Sequence, residues 1–585
     1  MEDLIYRILN SKKKKRNVLI YIAIAFIVAV MLIPTNLVLA KMLPGKSANT
    51  FTIYVDTATN SSLAQTQEVT SCVLSFLKQE VEVENSEVYL AQGAPLDYAG
   101  LVKGSAMKRM KNQAEIVVNL SDKHHREEAS YKLVHRIRPL IKDKCQSLYD
   151  DTSIRFVEMP SGPPTFATIE VNVFGKDANL MREMAARVAN VLRETNGLVD
   201  IDIMQDDIYA YFEIVPDTEK VMRSGLSIEQ VNNILYLAFE GMSVAVKNSE
   251  VQQDQIPIFV RLNKESRIIQ PDNIDGINLK LSRLKLLNPM GMMIPIKEIV
   301  NVQEVSSRPT IYRKNLENYV GVTAECDLVS QLYPLMEARE IMMKKFANDF
   351  NITDVPGVAS TYMFDLYLTE KSTGKKLLLR WDGEMKVSLD TFRDLGGAFI
   401  AALILMFLLM VMYYKSFALS GIILLASFLS IIGVIVGHLI TDLISLFFAD
   451  IHFYLTATSL IGFISLMGIS ARSSLLLIDF SMALIEKGVE KRRAIAVSTS
   501  TRAKPIVMTA VAIILGSLLL STDPIFGGLG IALIFGSIAS TVVSLFLVPV
   551  LIDNTAALCP LSKQYSDGEC HGGEREHIEP KDVGL

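Results

Sequence analysis

The stretch LTATSLIGFISLMGISARSSLLLIDFSMALI, residues Leu455 to Ile485, decides how the rest of the chain is read. It is apolar enough to enter a bilayer and longer than the roughly 20 residues that a helical crossing needs. Yet it carries Arg472 and Asp479. A cation at the middle of a membrane helix costs about 2.5–3.5 kcal/mol on insertion scales, so it normally faces a partner or a wet path. The plain alternative is that Arg472 snorkels to the headgroups. The basic flank that would mark that edge, EKGVEKRR, begins only at Glu486, which leaves Arg472 well inside. The helix therefore reads as the energy-coupling centre of a membrane transporter.

Arg472 and Asp479 lie about two helical turns apart, so they share a face at an axial distance of about 10 Å. That is too far for a direct ion pair, and each needs partners elsewhere. Arginine does not give up its proton, but it can hold a carboxylate charged or release it on protonation. Thr509 on the next apolar segment offers a hydroxyl. Asp479 is the one carboxylate well inside an expected span, and His438 lies near the outer end of its own.

Working outward, residues 1–16 form a short cytoplasmic N-terminus that ends in five basic residues, Lys12 to Arg16. Residues 17–40 are uncharged, too long for a signal-peptide core, and read as a signal anchor and first transmembrane helix. Spans at Leu395–Tyr414, Ser416–Ile440, Pro505–Thr522 and Gly528–Ile552 join the central helix, so residues 395–552 hold transmembrane helices 2–6. The expectation is six spans in all. Lys415, Lys487, Lys491, Arg492, Arg493, Arg502 and Lys504 fall on one side, while TDLISLFFADIH and STDPIFGG carry no Lys or Arg. The positive-inside rule then places both termini in the cytoplasm and residues 41–394 outside. Ala532, Gly536 and Ser540 recur every four residues, a spacing that lets helices approach closely; exposure to lipid is the alternative. Residues 553–585 read as a loose cytoplasmic tail.

The outer region alternates strands and helices twice, which predicts two βαβ–βαβ subdomains in an α+β membrane protein. The first covers 41–160. The second runs over 161–216 and resumes over 309–365, with an insertion at 217–308. Helical crossovers imply parallel strands in sheets with helices packed on a face. The segment VASTYMF is expected as a strand. Residues 366–394 read as a juxtamembrane segment along the interface, with Trp381 as its anchor.

The chain has 585 residues, 50% of them hydrophobic and 21% charged, with a net charge of −5. Its mean hydropathy is +0.30. This balance describes a membrane protein with a large soluble part and argues against nucleic acid as a partner. Cys72 and Cys145 both fall on expected outer helices, where a disulfide is possible. Met290, Met292 and Met293 suggest either soft-metal ligands or, better in the context of Asn-Pro and Gly, a hairpin tip. His124 and His125 read as a solvated loop, and Cys559, Cys570, His571 and His577 as part of the tail. There is no nucleophile–base set, phosphate loop or metal spacing, so an enzyme is not expected.

GISARSSLLLIDF (468–480), AKPIVMTAVAIILG (503–516), DPIFGGLGIALIFG (523–536), MPSGPP (159–164) and WDGEMKVSLDTFRDLG (381–396) occur in the order found in the C-terminal half of resistance–nodulation–division (RND) efflux permeases. The chain resembles that half over nearly its whole length. The resemblance implies spans seven to twelve, two periplasmic porter subdomains and a docking subdomain at 217–308. It implies proton antiport with no cofactor but the proton gradient, through Arg472, Thr509 and Asp479. It implies amphiphilic drugs or similar compounds as substrates, with Tyr98 and Leu101 at the pocket. Metal-ion efflux, an accessory of protein export and a non-transporting scaffold are the alternatives. Arg472 stands where the family often has Lys. The implied partners are a separate N-terminal RND half bearing two aspartates, a periplasmic adaptor and an outer-membrane channel, in a trimer at the bacterial inner membrane.

Overall fold

The computed structural model describes residues 1–555 other than 44, 46, 124, 160–161, 163–164, 249, 252–254, 357–363 and 450–451, together with the backbone of 564–566 and 569–571. His124, Cys559, His577, part of MPSGPP and all but the last residue of VASTYMF lie outside the described residues, as do the side chains of Cys570 and His571. The chain divides into a compact insertion, Gln205–Ile311, and a larger unit made of everything else.

In the larger unit the first sheet has strands β1 (Thr50–Asp56), β2 (Val83–Leu90), β3 (Gln113–Leu120) and β4 (Ser153–Glu158), in the order β2-β3-β1-β4. Every neighbouring pair is antiparallel. This corrects the expectation of adjacent parallel strands. The crossover helix does join two parallel strands, β1 and β2, but β3 lies between them and runs against both. Helices Leu63–Leu77 and Ser130–Cys145 bury their apolar stripes on the sheet, through Val69, Val73, Leu133, Ile137 and Ile141 against Ile53, Ile116 and Phe156. Ser62 caps the first helix in a reciprocal box with Gln65, which satisfies two otherwise open backbone donors. Cys72 and Cys145 are bonded and tie the two helices together.

The second sheet repeats the plan with β5 (Ile169–Gly175), β6 (Leu198–Met204), β7 (Glu317–Cys326) and β8 (Phe350–Asp354). Strand β7 pairs with β5 on one edge and β6 on the other. Two further strands, β9 (Leu366–Glu370) and β10 (Lys376–Asp382), extend it, with β10 directly against β5, and the short strand Tyr312–Lys314 pairs with the start of β7. Trp381 on β10 is wholly buried, and its indole N–H donates to Phe364 O at 3.0 Å. It is therefore a core residue and not an interface anchor. Alternate burial along Lys376–Asp382 shows the cause: the segment has strand periodicity, and Trp381 falls on the inward face. The chain then runs without a break into helix Glu384–Tyr414.

The insertion pairs strands Ala210–Pro216 and Val300–Ser306 at its root. Val221, Val231, Ile277, Leu281 and Ile296 form its core. The three methionines sit at a hairpin tip, where Asn288 Oδ1 accepts the amides of Met290 and Met292.

Among the described residues, five helical stretches are long and apolar enough to cross a membrane: Glu384–Tyr414, Phe417–Phe448, Ala457–Glu486, Lys491–Leu520 and Gly527–Asp553. The first of six expected spans is helical only over Lys12–Met31, with turns beyond it. Helix also continues through most of TDLISLFFA, which had been read as an outer loop. Ala532, Gly536 and Ser540 are buried, and a Cβ at Gly536 would stand 2.2 Å from Leu466 Cδ2 of the central helix. Small residues thus let these two helices approach closely.

Candidate functional site

The central helix Ala457–Glu486 starts from a Thr456–Ser459 capping box. Just before it, Leu455 N donates to Leu39 O and Lys41 N to Leu455 O, while Tyr454 Oη donates to Leu328 O beyond the end of β7. The helix head is thus tied both to the chain leaving the first helix and to the second sheet.

Two faces of this helix differ. Gly462, Leu466, Ser470, Ser474 and Leu477 are buried, while Ile461, Ser465, Gly468 and Arg472 are exposed. The exposed positions recur at intervals of three and four, one continuous stripe. A Cβ added at Gly468 would meet nothing within 4 Å. Arg472 has no hydrogen bond or ion pair among the described residues.

The structure does not bring the expected coupling residues together. Thr509 is exposed and donates to Pro505 O of its own helix at 2.8 Å. Asp479, half-buried, accepts instead from Tyr414 Oη at 2.7 Å. Sequence reasoning missed Tyr414, which ends the preceding long helix. Its place beside Lys415 at a turn was the available signal. His438 is fully buried, with Nδ1–H toward Val434 O and Nε2 against Ser459 Oγ. That bonding ties the helix Ile431–Ala449 to the head of the central helix.

Tyr98 and Leu101 lie on a short helix, Tyr98–Lys103, and both are exposed, as are Leu96, Met107 and Met110 around them. The segment is pinned from beneath. Buried Glu115 accepts from Ala94 N at 2.9 Å and Ser105 Oγ at 2.5 Å. Lys103 reaches across to Glu325 of the second sheet at 2.6 Å. Neither Glu115 nor Lys103 stands out in the sequence, because a lone charge on a strand or at a helix end carries no spacing to read.

Apolar membrane helices, one with an unpaired cation inside it, joined to two repeated βαβ-type subdomains define a membrane permease. The model of the AcrB/AcrD/AcrF family matches residues 2–553, and the chain belongs to this family of RND permeases. It is 23% identical over 393 residues to the swarming motility protein SwrC of Bacillus subtilis (strain 168), covering 65% of this chain and 32% of that protein. It is 21% identical over 448 residues to the multidrug resistance protein MdtC of Yersinia pseudotuberculosis, covering 75% of this chain and 39% of that protein. A crystal structure of a heavy metal efflux pump superposes with a TM-score of 0.67 at 18% identity, over 94% of this chain and 52% of that one. The chain thus spans between a third and about half the length of these relatives.

Proposed function

We propose that this chain is the C-terminal half of a proton-driven efflux permease that exports amphiphilic compounds and works with a separate N-terminal half. The observation that carries the reading is the open face of the central helix. Arg472 stands there without a counter-charge, beside small residues that leave room for another helix. In the most apolar window of Glu384–Tyr414 6% of residues are buried and in that of Lys491–Leu520 11%, against 61% for Phe417–Phe448. A second membrane bundle bearing a carboxylate at the depth of Arg472 satisfies both the charge and the surface. Proton transfer to that carboxylate alters its attraction to Arg472, and this is the coupling step we assign. In the assembled pump Thr509 and Asp479 support the same site. The first helix completes six spans, with both termini cytoplasmic.

Residues 41–160 and the second sheet act as porter subdomains in the periplasm, and Gln205–Ile311 as the docking subdomain. The Cys72–Cys145 bond fits an oxidising compartment. The exposed apolar segment around Tyr98 and Leu101 suits amphiphiles, and a trimer with an adaptor and an outer-membrane channel completes the path. Mild purification from native membranes with mass spectrometry of the co-purifying proteins tests the partner. The expected result is a protein with six spans and an intramembrane aspartate; the chain emerging alone defeats the two-chain reading. In cells carrying both halves, Arg472→Ala is expected to abolish efflux while the protein still accumulates. Undiminished drug export in that variant removes the coupling role, and sensitivity to metal salts alone turns the assignment toward metal efflux.

A further inference from the structure

The two sheets of the larger unit meet along a seam made of charges. Arg138, on the helix Ser130–Cys145, pairs with Asp200 of β6 at 3.2 Å, with Asp327 just past β7 at 2.7 Å and with Glu158 of β4 at 3.6 Å. Lys142 holds Asp200 at 2.5 Å. Arg155 of β4 bridges Asp202 of β6 and Asp56 of β1, and Lys108 holds Asp56 at 2.7 Å. Lys103 holds Glu325, which also accepts from Thr168. In these pairs six carboxylates share five cations; Glu384 and Lys41 lie beyond them, beside Glu325. His135 adds an exposed imidazole at the rim, 2.7 Å from Asp327.

The surplus negative charge has an address. Asp56, Asp200, Asp202, Glu325 and Asp327 each have a cation within hydrogen-bond distance, but among the described residues Glu158 has the more distant contact, with an arginine that already serves two other carboxylates. The charged and titratable groups facing it are Arg138 and Tyr131 from the helix, Asp200 from β6, and Glu325 and Asp327 from the end of β7. Its environment acts accordingly. Burial pushes the Glu158 carboxyl up to about 7, Arg138 opposes this, and Glu325, Asp327 and Asp200 add to it. At Asp56 burial acts the same way, but Lys108 and Arg155 outweigh it and hold that carboxyl below its usual range. The seam also has slack. A small open-sided pocket, with about 30 Å³ of space for water, is lined by Tyr54, Lys103, Arg155, Asp200, Thr323 and Glu325. The buried Tyr54 hydroxyl has no partner among the described residues.

We propose that Glu158 is a second proton-binding site, outside the membrane helices, whose protonation closes the seam between the two subdomains. The proton neutralises the carboxylate that holds Arg138 at the longest distance and shares it with Asp200 and Asp327. When the seam opens, Glu158 returns to water and its ordinary acidity, so closing takes up a proton. Closure is thus favoured as pH falls from above 7 and levels off near the ordinary value of 4.5. With 36% of the Glu158 side chain in solvent, screening reduces the expected effect to about 10-fold.

One amide reports the seam directly. Phe156 N–H of β4 donates across it to Asp200 Oδ2 at 3.2 Å. In hydrogen–deuterium exchange of the full chain in lipid nanodiscs, corrected for the chemical rate, the peptide covering Ser153–Glu158 is expected to be about 10-fold better protected at pH 5.5 than at pH 8. Glu158→Gln should hold the protected level at both pH values, and His135→Gln should leave the wild-type response intact. The proposal is overturned if Glu158→Gln keeps the wild-type pH response, if His135→Gln removes it, or if the wild type has none. A parallel change in the β3 amides would mean general unfolding and equally counts against it.

Discussion

Breaking the Cys72–Cys145 bond with a Cys72→Ser, Cys145→Ser double substitution should destabilise the first subdomain far more than any surface change. The bond closes a loop with a sequence separation of 73 residues. The chain-entropy relation gives an upper bound of about 4.5 kcal/mol for such a loop at 25 °C. Part of that restraint is redundant, since Val69, Val73, Leu133, Ile137 and Ile141 already press the two bridged helices onto one sheet. We therefore expect a loss of about 2–4 kcal/mol, the usual range for a native bridge. The assay is denaturant-dependent hydrogen exchange, comparing peptides from Leu63–Leu77 and Ser130–Cys145 with peptides from the second sheet. The first pair should open at lower denaturant in the variant, and the second should not move. A shift below 0.5 kcal/mol, or full maleimide labelling of both thiols in protein taken from native membranes without reductant, would refute the reasoning. The second result would also remove the support that the bond gives to an oxidising location.

The remaining expectations concern packing and the open helix face. Trp381 is the chain's single tryptophan and is wholly buried, so intrinsic fluorescence should be blue-shifted and insensitive to iodide; an emission typical of exposed indole would contradict the second sheet. Gly536→Val puts a side chain into Leu466 and should cost roughly 1–3 kcal/mol by overpacking, read as a lower melting temperature in detergent. Gly468→Val meets open space in this chain, so it should leave that temperature unchanged yet weaken capture of the proposed N-terminal half. Equal capture by wild type and variant would mean that nothing packs on the Arg472 stripe.

Much of this was legible because it rests on periodicity. The central helix, its two charges and the Ala532, Gly536 and Ser540 stripe follow from spacing alone, as does the twofold βαβ repeat. Strand neighbours were not legible, because a crossover fixes only the direction of the strands it joins and says nothing of which strand slips between them. Trp381 was misread for a related reason. A tryptophan amid charges next to a span resembles an interface anchor, and only the pairing of Lys376–Asp382 with β5 reveals the alternation that buries it. The link between Tyr414 and Asp479 and the seam of charges are contacts between segments far apart in sequence, and no local pattern encodes them.

The seam and the central helix are not independent pieces of the molecule. Asp327 is bound to Arg138 in the seam, and the next residue, Leu328, sits at φ 61°, a conformation that leucine adopts only when its surroundings hold it there. Its carbonyl accepts from Tyr454 Oη, and Leu455 follows, bonded on both sides to the segment that leaves the first helix. Five residues further on, Leu460 is already inside the helix that carries Arg472. If the seam opens as proposed, a movement of Asp327 pulls on the head of the central helix through one constrained residue and one hydrogen bond. Tyr454→Phe removes that bond without removing the ring, so it separates the two ends of the linkage. Seam protection should keep its response to pH in this variant, while efflux in the assembled pump should lose part of its own. If Tyr454→Phe leaves both unchanged, the connection is structural only, and the seam and the central helix act without reference to each other.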